Sequence, residues 1–401
     1  MKKKKFMTGL GVVALCASLA TPALASNSPN GNLTNPNQVY SIKGFSDYAE
    51  MVSRLKQIQD NSQGRVAVKV VGKSNRGLDI YQARVGNGKK VVLIESEIHG
   101  NENTGSEAIL SVLQYLGSSN SPEAKKIRDE ITLVALPKMN PDADERDRRG
   151  NSMTWQEVVA KFPQLASVKP AWNYYTSSNM QQRDYSKDPG FDVNRDFNPD
   201  LNYVPNASDF PGSSSKPGWY ITPESQTVRD VYKKLKAEFG KVDTFIDLHH
   251  QGQYYVEGTD DLVTMSLSAE FVPDPRTPKG SKYADYAKNY NVDYSKQLNL
   301  AAYNALQASG NSPFTNITLY QRNLDLPGTA LGSFALNGSG TILFEVRGQS
   351  HTLGQKKKGQ LVKAVETGLY GILNGVADGS VKNLDPADYE KIPETAYEPS
   401  L

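Results

Sequence analysis

Two apolar runs of the chain each lead directly into a histidine, although its 401 residues contain only four histidines. Residues 91–94 precede His99, and residues 244–248 precede His249. A short, continuously apolar run is typical of a strand that is buried on both faces, in a sheet covered by helices. The sequence therefore predicts an α/β protein in which polar side chains follow the ends of buried strands.

Amphipathic segments separate these runs. The periodicity predicts helices at 104–116, 222–239 and 361–373 and further strands at 131–136 and 341–344. Alternating strands and helices favour a layered α/β domain. Ligands of open α/β sheets bind at the carboxyl ends of the strands, and His99, His249 and Glu345 each follow such an end. We therefore expect these three side chains to share one site.

The N-terminus has the composition of a secretory signal peptide. Residues 2–5 are all Lys, residues 6–19 are mainly apolar, and Ala23 and Ala25 are the small residues that precede a cleavage site. We predict a signal peptide at 1–25, cleavage after Ala25, and secretion. The alternative is a lipoprotein anchored through Cys16, which the large preceding residue Leu15 disfavours.

Cleavage would change the charge and cysteine content of the chain. Without the four Lys, 41 basic residues face 43 acidic ones, and the single Cys is lost. A net charge near zero gives no reason to expect nucleic acid as a partner. No other apolar stretch approaches the about 20 residues of a membrane span. We expect a monomer without a membrane anchor. Residues 26–38, which are rich in Asn, Pro, Ser and Gly, are expected to form a disordered leader before the folded domain.

His99, Glu102 and His249 form a candidate zinc set. Two imidazoles and a carboxylate are typical of catalytic zinc sites, which keep a fourth position open for water. The alternative is a loop histidine beside a carboxylate that stabilises a helix N-terminus. Because side chains alternate along a strand, only one of His249 and His250 can face the metal. We prefer His249 and assign His250 to the wall of the site.

Glu345 is the candidate general base. It lies between the apolar run 341–344 and Val346, where a carboxylate is costly unless it is used or paired. A carboxylate near zinc can accept the proton of a zinc-activated water. The alternative is a buried ion pair with Arg347.

A second group of candidates lies between residues 146 and 196. Arg195 can grip a carboxylate with two parallel hydrogen bonds, Asn194 can add a donor, and Asp192 can hold a ligand imidazole from behind. A surface turn with a local ion pair is the alternative. One of the arginines at 146, 148 and 149 could stabilise an oxyanion. For each of them a solvated loop charge is the alternative.

Together these segments resemble the zinc carboxypeptidase family, the funnelin-type metallocarboxypeptidases, over residues 39–375. The matching segments occur in the family's order. They are residues 72–77, His99-Gly100-Asn101-Glu102, Asn140-Pro141-Asp142, Asp192-Val193-Asn194-Arg195, Asp247-Leu248-His249 and Phe344-Glu345-Val346-Arg347. Ala143 stands where the family has the Gly of its NPDG loop, and His250 stands where Ser is usual.

The resemblance implies a mixed, twisted, eight-stranded sheet flanked by helices, in a single catalytic domain at 39–380 that binds one zinc ion. It implies that Asn194 and Arg195 bind the substrate carboxylate and that Arg149 stabilises the oxyanion, with Arg148 as the alternative. The family's mobile Tyr has one candidate, Tyr320, and its role is left open. The Pro- and acid-rich residues 381–401 are expected to form a loosely attached tail.

The predicted function is that of an exported zinc metallocarboxypeptidase that hydrolyses the C-terminal peptide bond of peptides with a free carboxylate. One alternative is an amidase that cuts the γ-D-glutamyl to diamino-acid bond of cell-wall muropeptides with the same zinc centre. The other is a binding protein with a structural metal. Asp325 is a candidate for selecting basic side chains.

Overall fold

The computed structural model describes residues 44–177, 185–308, 315–347 and 354–400. The predicted signal peptide and leader lie outside these residues. The helices are α1 (Tyr48–Asn61), α2 (Thr104–Ser118), α3 (Pro122–Glu130), α4 (Pro141–Asp144), α5 (Trp155–Lys161), α6 (Pro223–Phe239), α7 (Val292–Gln307), α8 (Ala330–Leu336) and α9 (Gly354–Asp378). The strands are β1 (Val66–Lys73), β2 (Asp79–Val85), β3 (Lys90–Ser96), β4 (Ile131–Leu136), β5 (Tyr174–Tyr175), β6 (Gly190–Phe191), β7 (Thr244–Gln251), β8 (Tyr255–Val256), β9 (Met265–Ser268), β10 (Ile317–Leu319), β11 (Gly340–Arg347) and β12 (Thr395–Ala396).

The main sheet of the described chain has eight strands in the order β1-β2-β4-β3-β7-β11-β9-β10. The central strands β4, β3, β7 and β11 run parallel. Antiparallel pairs flank them, formed by β1, β2 and β4 on one side and by β11 and β9 on the other. This architecture confirms the predicted mixed eight-stranded sheet with flanking helices in a single domain.

Each face of the sheet is covered by a helical layer. Val92 and Ile94 of β3 pack into the core formed with α1, α2, α7 and α9, which we call the α9 face. Val91 and Leu93 pack into the core formed with α6 and α8, which we call the α6 face. Because alternate side chains of β3 enter the two cores, the strand is apolar without interruption from Val91 to Ile94.

The bounds of α6 follow from its local sequence. The Thr222 side chain accepts a hydrogen bond from the backbone N–H of Ser225, and Pro223 occupies the first turn. At the other end Gly240 adopts a left-handed conformation with φ 83°. The helix therefore begins and ends where the sequence predicts.

The C-terminal residues pack against the domain, which corrects the expectation of a loosely attached tail at 381–401. Tyr389 and Ile392 are buried in a small core with Leu319 of β10. β12 pairs with β8, and the backbone N–H of Leu319 donates to the carbonyl of Pro393 at 2.7 Å. The apolar side chains within this Pro- and acid-rich segment supply the buried contacts that hold it.

Among the described residues, no helix combines the length and apolar character that crossing a membrane requires.

Candidate metal and catalytic site

A buried ion cluster shapes the loop that carries the first two predicted metal ligands. Glu97 follows β3 with φ 56°, a conformation that is uncommon for residues other than Gly. The fully buried Lys138 ammonium lies 2.8 Å from Oε2 of Glu97 and 2.9 Å from Oδ1 of Asp144. Burial opposes the charge of Lys138, but the two carboxylates outweigh it and raise the pKa. Lys138 thereby holds Glu97, the residue that follows β3, in place.

The side chains of His99, Glu102 and His249 converge, with one ligand atom from each lying within 4.8 Å of the others. Nδ1 of His99 lies 3.1 Å from Oε1 of Glu102, and Nδ1 of His249 lies 2.8 Å from Oε2. All three residues are buried, at 3%, 1% and 4% exposure. Two imidazole nitrogens and a carboxylate oxygen suit tetrahedral zinc with one position left for water.

Carboxylates hold the far side of both imidazoles. Nε2 of His99 lies 3.2 Å from Oδ1 of Asp192, and Nε2 of His249 lies 3.0 Å from Oδ2 of Asp247. The contact between Asp192 and His99 is a hydrogen bond, and a carboxylate that accepts the Nε2 proton fixes the tautomer and leaves Nδ1 free to bind a metal. Both Nδ1 atoms face Glu102, so the two histidines present the atoms that a shared metal ion needs.

Opposing effects set the charge states around these ligands. Burial raises the pKa of Glu102, but His99 and His249 hold it well below its usual range. Burial lowers the pKa of His249, but Asp247 and Glu102 raise it well above its ordinary value.

Glu95 was not singled out from the sequence. It pairs in register with Asp247 across β3 and β7, and it is fully buried. Burial, followed by the nearby Asp247 carboxylate, raises the pKa of Glu95 well above its ordinary value. A carboxyl group within an apolar strand is the sequence signal that could have identified it.

His250 lies on the other side of β7 from His249. Its Nε2 accepts a hydrogen bond of 2.9 Å from the backbone N–H of Thr104, the first residue of α2. His250 therefore supports the start of a helix, and the strand alternation that the sequence predicts separates it from His249.

Glu345 is the register neighbour of His249 across the parallel pair β7–β11. Neighbouring strands lie about 5 Å apart, which places this carboxylate beside the metal ligands. The pKa of Glu345 is raised to about 8, because burial and then the charge of Glu102 raise it by more than the charge of His249 lowers it. No hydrogen bond joins Glu345 to Arg347, whose buried guanidinium has no partner among the described residues. The ion-pair alternative for Glu345 therefore finds no support in the geometry.

Arg149 and Arg148 have different surroundings. Arg148 donates to the carbonyls of Gly150, Asp188 and Asn151, so its guanidinium supports the loop. Arg149 donates from Nε to Oδ2 of Asp192 at 2.9 Å, with its side chain 12% exposed. Burial lowers the pKa of Arg149, but Asp192 and then Glu102 raise it above its ordinary value. Arg149, rather than Arg148, therefore faces the predicted metal ligands.

Asn194 and Arg195 lie in a short 3-10 turn behind His249. Nδ2 of Asn194 lies 3.3 Å from Nε2 of His249, and Oδ1 of Asn194 accepts a hydrogen bond of 3.0 Å from the backbone N–H of Ala330. Arg195 donates from Nη1 to the carbonyl of Asn194 at 2.6 Å and is partly exposed. Its remaining guanidinium donors are available to a carboxylate that enters the site.

Tyr320 lies near the predicted site, whereas Asp325 is paired with other residues. Tyr320 lies close enough to Glu345 that this carboxylate, followed by burial, raises the pKa of the phenol. Asp325 accepts a hydrogen bond of 2.6 Å from the Tyr283 hydroxyl and pairs with Lys282 at 2.6 Å. The structure thus brings Tyr320 to the predicted site, whereas Asp325 is already neutralised by another residue.

Comparison with known proteins agrees with this geometry. The sequence matches the zinc carboxypeptidase family over residues 51–339, which is more than half of the chain. The chain belongs to the zinc carboxypeptidase family. Zinc is therefore the metal that the family implies for His99, Glu102 and His249, and their donor atoms fit it.

Individual relatives are distant members of this family. The chain is 27% identical over 123 residues to a zinc carboxypeptidase of Saccharothrix mutabilis subsp. capreolus, covering 28% of each chain. It is 32% identical over 104 residues to carboxypeptidase M of Mus musculus, covering 24% of each. The chain thus spans about a quarter of the length of these relatives.

A solved structure shares the fold of the zinc carboxypeptidase domain. The metallo-carboxypeptidase from Burkholderia cenocepacia superposes with a TM-score of 0.52 at 15% identity. The superposition covers 84% of this chain and 70% of the other.

Proposed function

We propose that the protein is an exported zinc-dependent carboxypeptidase that removes the C-terminal residue of peptides. The observation that carries the proposal is the convergence of His99, Glu102 and His249. Glu345 lies one strand further along the same sheet edge. A binding protein with a structural metal would not need a partly buried carboxylate beside the open position of the metal.

The residues of the site divide the chemistry among them. A zinc ion held by the three ligands would polarise the scissile carbonyl and lower the pKa of a water molecule. Glu345 accepts a proton from the attacking water and then delivers it to the leaving amine. Arg149 presents a nearly buried cation to the oxygen on which negative charge develops.

Restriction to the chain end comes from Arg195 and Asn194. A guanidinium fork and a side-chain amide together recognise a free carboxylate. An internal peptide bond lacks this charge, so only the last residue of a peptide satisfies both groups. Export is part of the proposal because of the basic, apolar and small-residue order at the N-terminus.

The test uses residues 26–401 loaded with zinc and a blocked dipeptide with either a free or an amidated C-terminus. We expect release of the terminal amino acid from the free acid, its loss with a chelator, and its recovery when zinc is added. Arg195→Ala should lower kcat/KM for the free acid by about 100-fold, as expected for a lost charge-assisted bidentate contact, and change that for the amide little. Arg276→Ala, which changes an exposed surface arginine paired with Asp274, is the control.

Two results would contradict the proposal. Equal losses on both substrates would remove Arg195 as the carboxylate-binding residue. Cleavage of purified muropeptides without any release from linear peptides would favour the amidase alternative.

A further inference from the structure

The C-terminal residues lie along β10, the edge strand of the main sheet. We call residues 393–397 the C-terminal strap. The strap lies between β10, where Leu319 donates to Pro393, and β8, which pairs with Thr395 and Ala396. Ion pairs of Arg322 with Glu390 and with Glu394, the latter at 2.6 Å, hold the same stretch. The strap is thus fixed on two sides by backbone and charged contacts.

Hydrogen-bonded hydroxyl groups connect the strap to β9, the strand next to Glu345. Thr395 Oγ1 lies 3.0 Å from Oγ of Ser266 and donates to the carbonyl of Leu319 at 2.6 Å. Ser266 is the register partner of Glu345 in the antiparallel pair β11–β9. Directly opposed residues share a sheet face, with their Cβ atoms about 5 Å apart. The strap therefore reaches the side of Glu345 that lies away from His249.

Two residues after Thr395, the chain presents an aromatic side chain at the rim of this region. The ring of Tyr397 packs edge-on against that of Tyr254, with centroids 4.8 Å apart and an interplanar angle of 76°. Tyr397 is 48% exposed. The backbone N–H of Tyr320 donates to the carbonyl of Leu267, the residue after Ser266, at 2.8 Å. The charges of Glu345, Tyr397 and Tyr254 also raise the pKa of Tyr320. The rim beside the proposed base is therefore aromatic and partly open to solvent.

We propose that Tyr397 and Tyr254 bind the side chain of the substrate's penultimate residue and favour aromatic side chains there. This inference rests on the proposed carboxypeptidase function. When Arg195 holds the carboxylate of the terminal residue, that residue lies inside the site. The penultimate residue of the substrate then lies at the rim of the site. Two rings that meet edge-on offer a third ring both a face and an edge, the arrangements that aromatic groups prefer. Tyr397 is thus a specificity-determining residue supplied by the C-terminal strap.

The experiment measures kcat/KM of the zinc-loaded protein on blocked dipeptides that share one terminal residue and carry Phe, Leu or Gly before it. We expect Tyr397→Ala to lose about fivefold to tenfold on the Phe substrate and less than twofold on the Gly substrate. Tyr397→Phe should stay within about twofold of wild type on all three, because the ring is kept. Lys391→Ala is the matched control, since this exposed residue lies on the same C-terminal stretch.

Circular dichroism and zinc content should be unchanged in every variant, which separates a specificity effect from a folding defect. Equal losses on the three substrates, or none, would overturn the inference while leaving the proposed function intact. The inference would also be overturned if, in a second panel of dipeptides that vary the terminal residue, Tyr397→Ala changed only the preference for that terminal residue. Failure of the wild-type protein to hydrolyse any dipeptide would instead remove the proposed function and this inference with it.

Discussion

Oδ1 of Asp192 lies 3.2 Å from Nε2 of His99, on the side of the imidazole that faces away from Glu102. The other oxygen of Asp192 accepts from Nε of Arg149 at 2.9 Å. Burial would raise the pKa of Asp192, but Arg149 and then Arg195 hold it well below its usual range. One charged carboxylate therefore orients both a predicted metal ligand and the predicted oxyanion-binding residue.

Asp192→Asn should weaken zinc binding by about 10-fold to 100-fold, because a neutral amide orients the imidazole less well and raises its basicity less than a carboxylate does. Competition of the protein with a chromogenic chelator measures the affinity. Asp388→Asn, at an exposed surface pair, is the control and should leave the affinity unchanged. Unaltered zinc affinity in Asp192→Asn would contradict the orienting role.

The activity should depend on the ionisation of Glu345. Burial raises the pKa of this carboxyl to about 8 in the protein without metal, and a bound cation would favour the charged form. Because a general base must be ionised, kcat/KM should rise with pH along an acid limb with a midpoint below pH 8.

Glu345→Gln should remove this limb and lower kcat by about 100-fold or more, with the zinc content unchanged. The pH profile and metal analysis of the purified variant measure both effects. Glu130→Gln changes a half-exposed surface carboxylate and should behave as wild type. Persistence of the same acid limb in Glu345→Gln would assign the titration to another group.

Lys138→Met should destabilise the protein by about 3–5 kcal/mol, because it leaves the buried charges of Glu97 and Asp144 without their partner. Denaturant unfolding monitored by circular dichroism measures the free energy. Lys73→Met removes an exposed pair with Asp79 and should cost at most about 1 kcal/mol. Similar values for the two variants would mean that the buried cluster adds no more stability than a surface pair.

Gly100→Ala should weaken zinc binding and lower the free energy of unfolding. A Cβ at this position would lie 2.0 Å from backbone atoms of Ala143 and Asp144, so the loop between His99 and Glu102 would have to move. Gly359→Ala is the control, because its Cβ would meet nothing within 4 Å in helix α9. That substitution should stabilise the protein by up to about 1 kcal/mol. Normal zinc affinity in Gly100→Ala would show that the loop tolerates the shift.

Several features of the protein could be predicted from local sequence alone. β4 and α6 have the predicted bounds, because strand hydrophobicity, a Thr-Pro start and a C-terminal Gly are encoded within each segment. The candidate metal site could also be predicted, since His99 and His249 follow strands that are apolar enough to be recognised. Short elements such as β9 and β10 lack such a pattern, and they were not predicted.

The sequence by itself determined the α/β class, the main strands and the side chains that could bind a metal, because periodicity and capping act over a few residues. Only the tertiary structure decided that Arg149 rather than Arg148 donates a hydrogen bond to Asp192. It also decided that Lys282 and Tyr283 donate to Asp325, and that Thr395 of the strap contacts Ser266. Ser266 and Thr395 are 129 positions apart. Such contacts depend on which strands become neighbours, and no local pattern encodes that pairing.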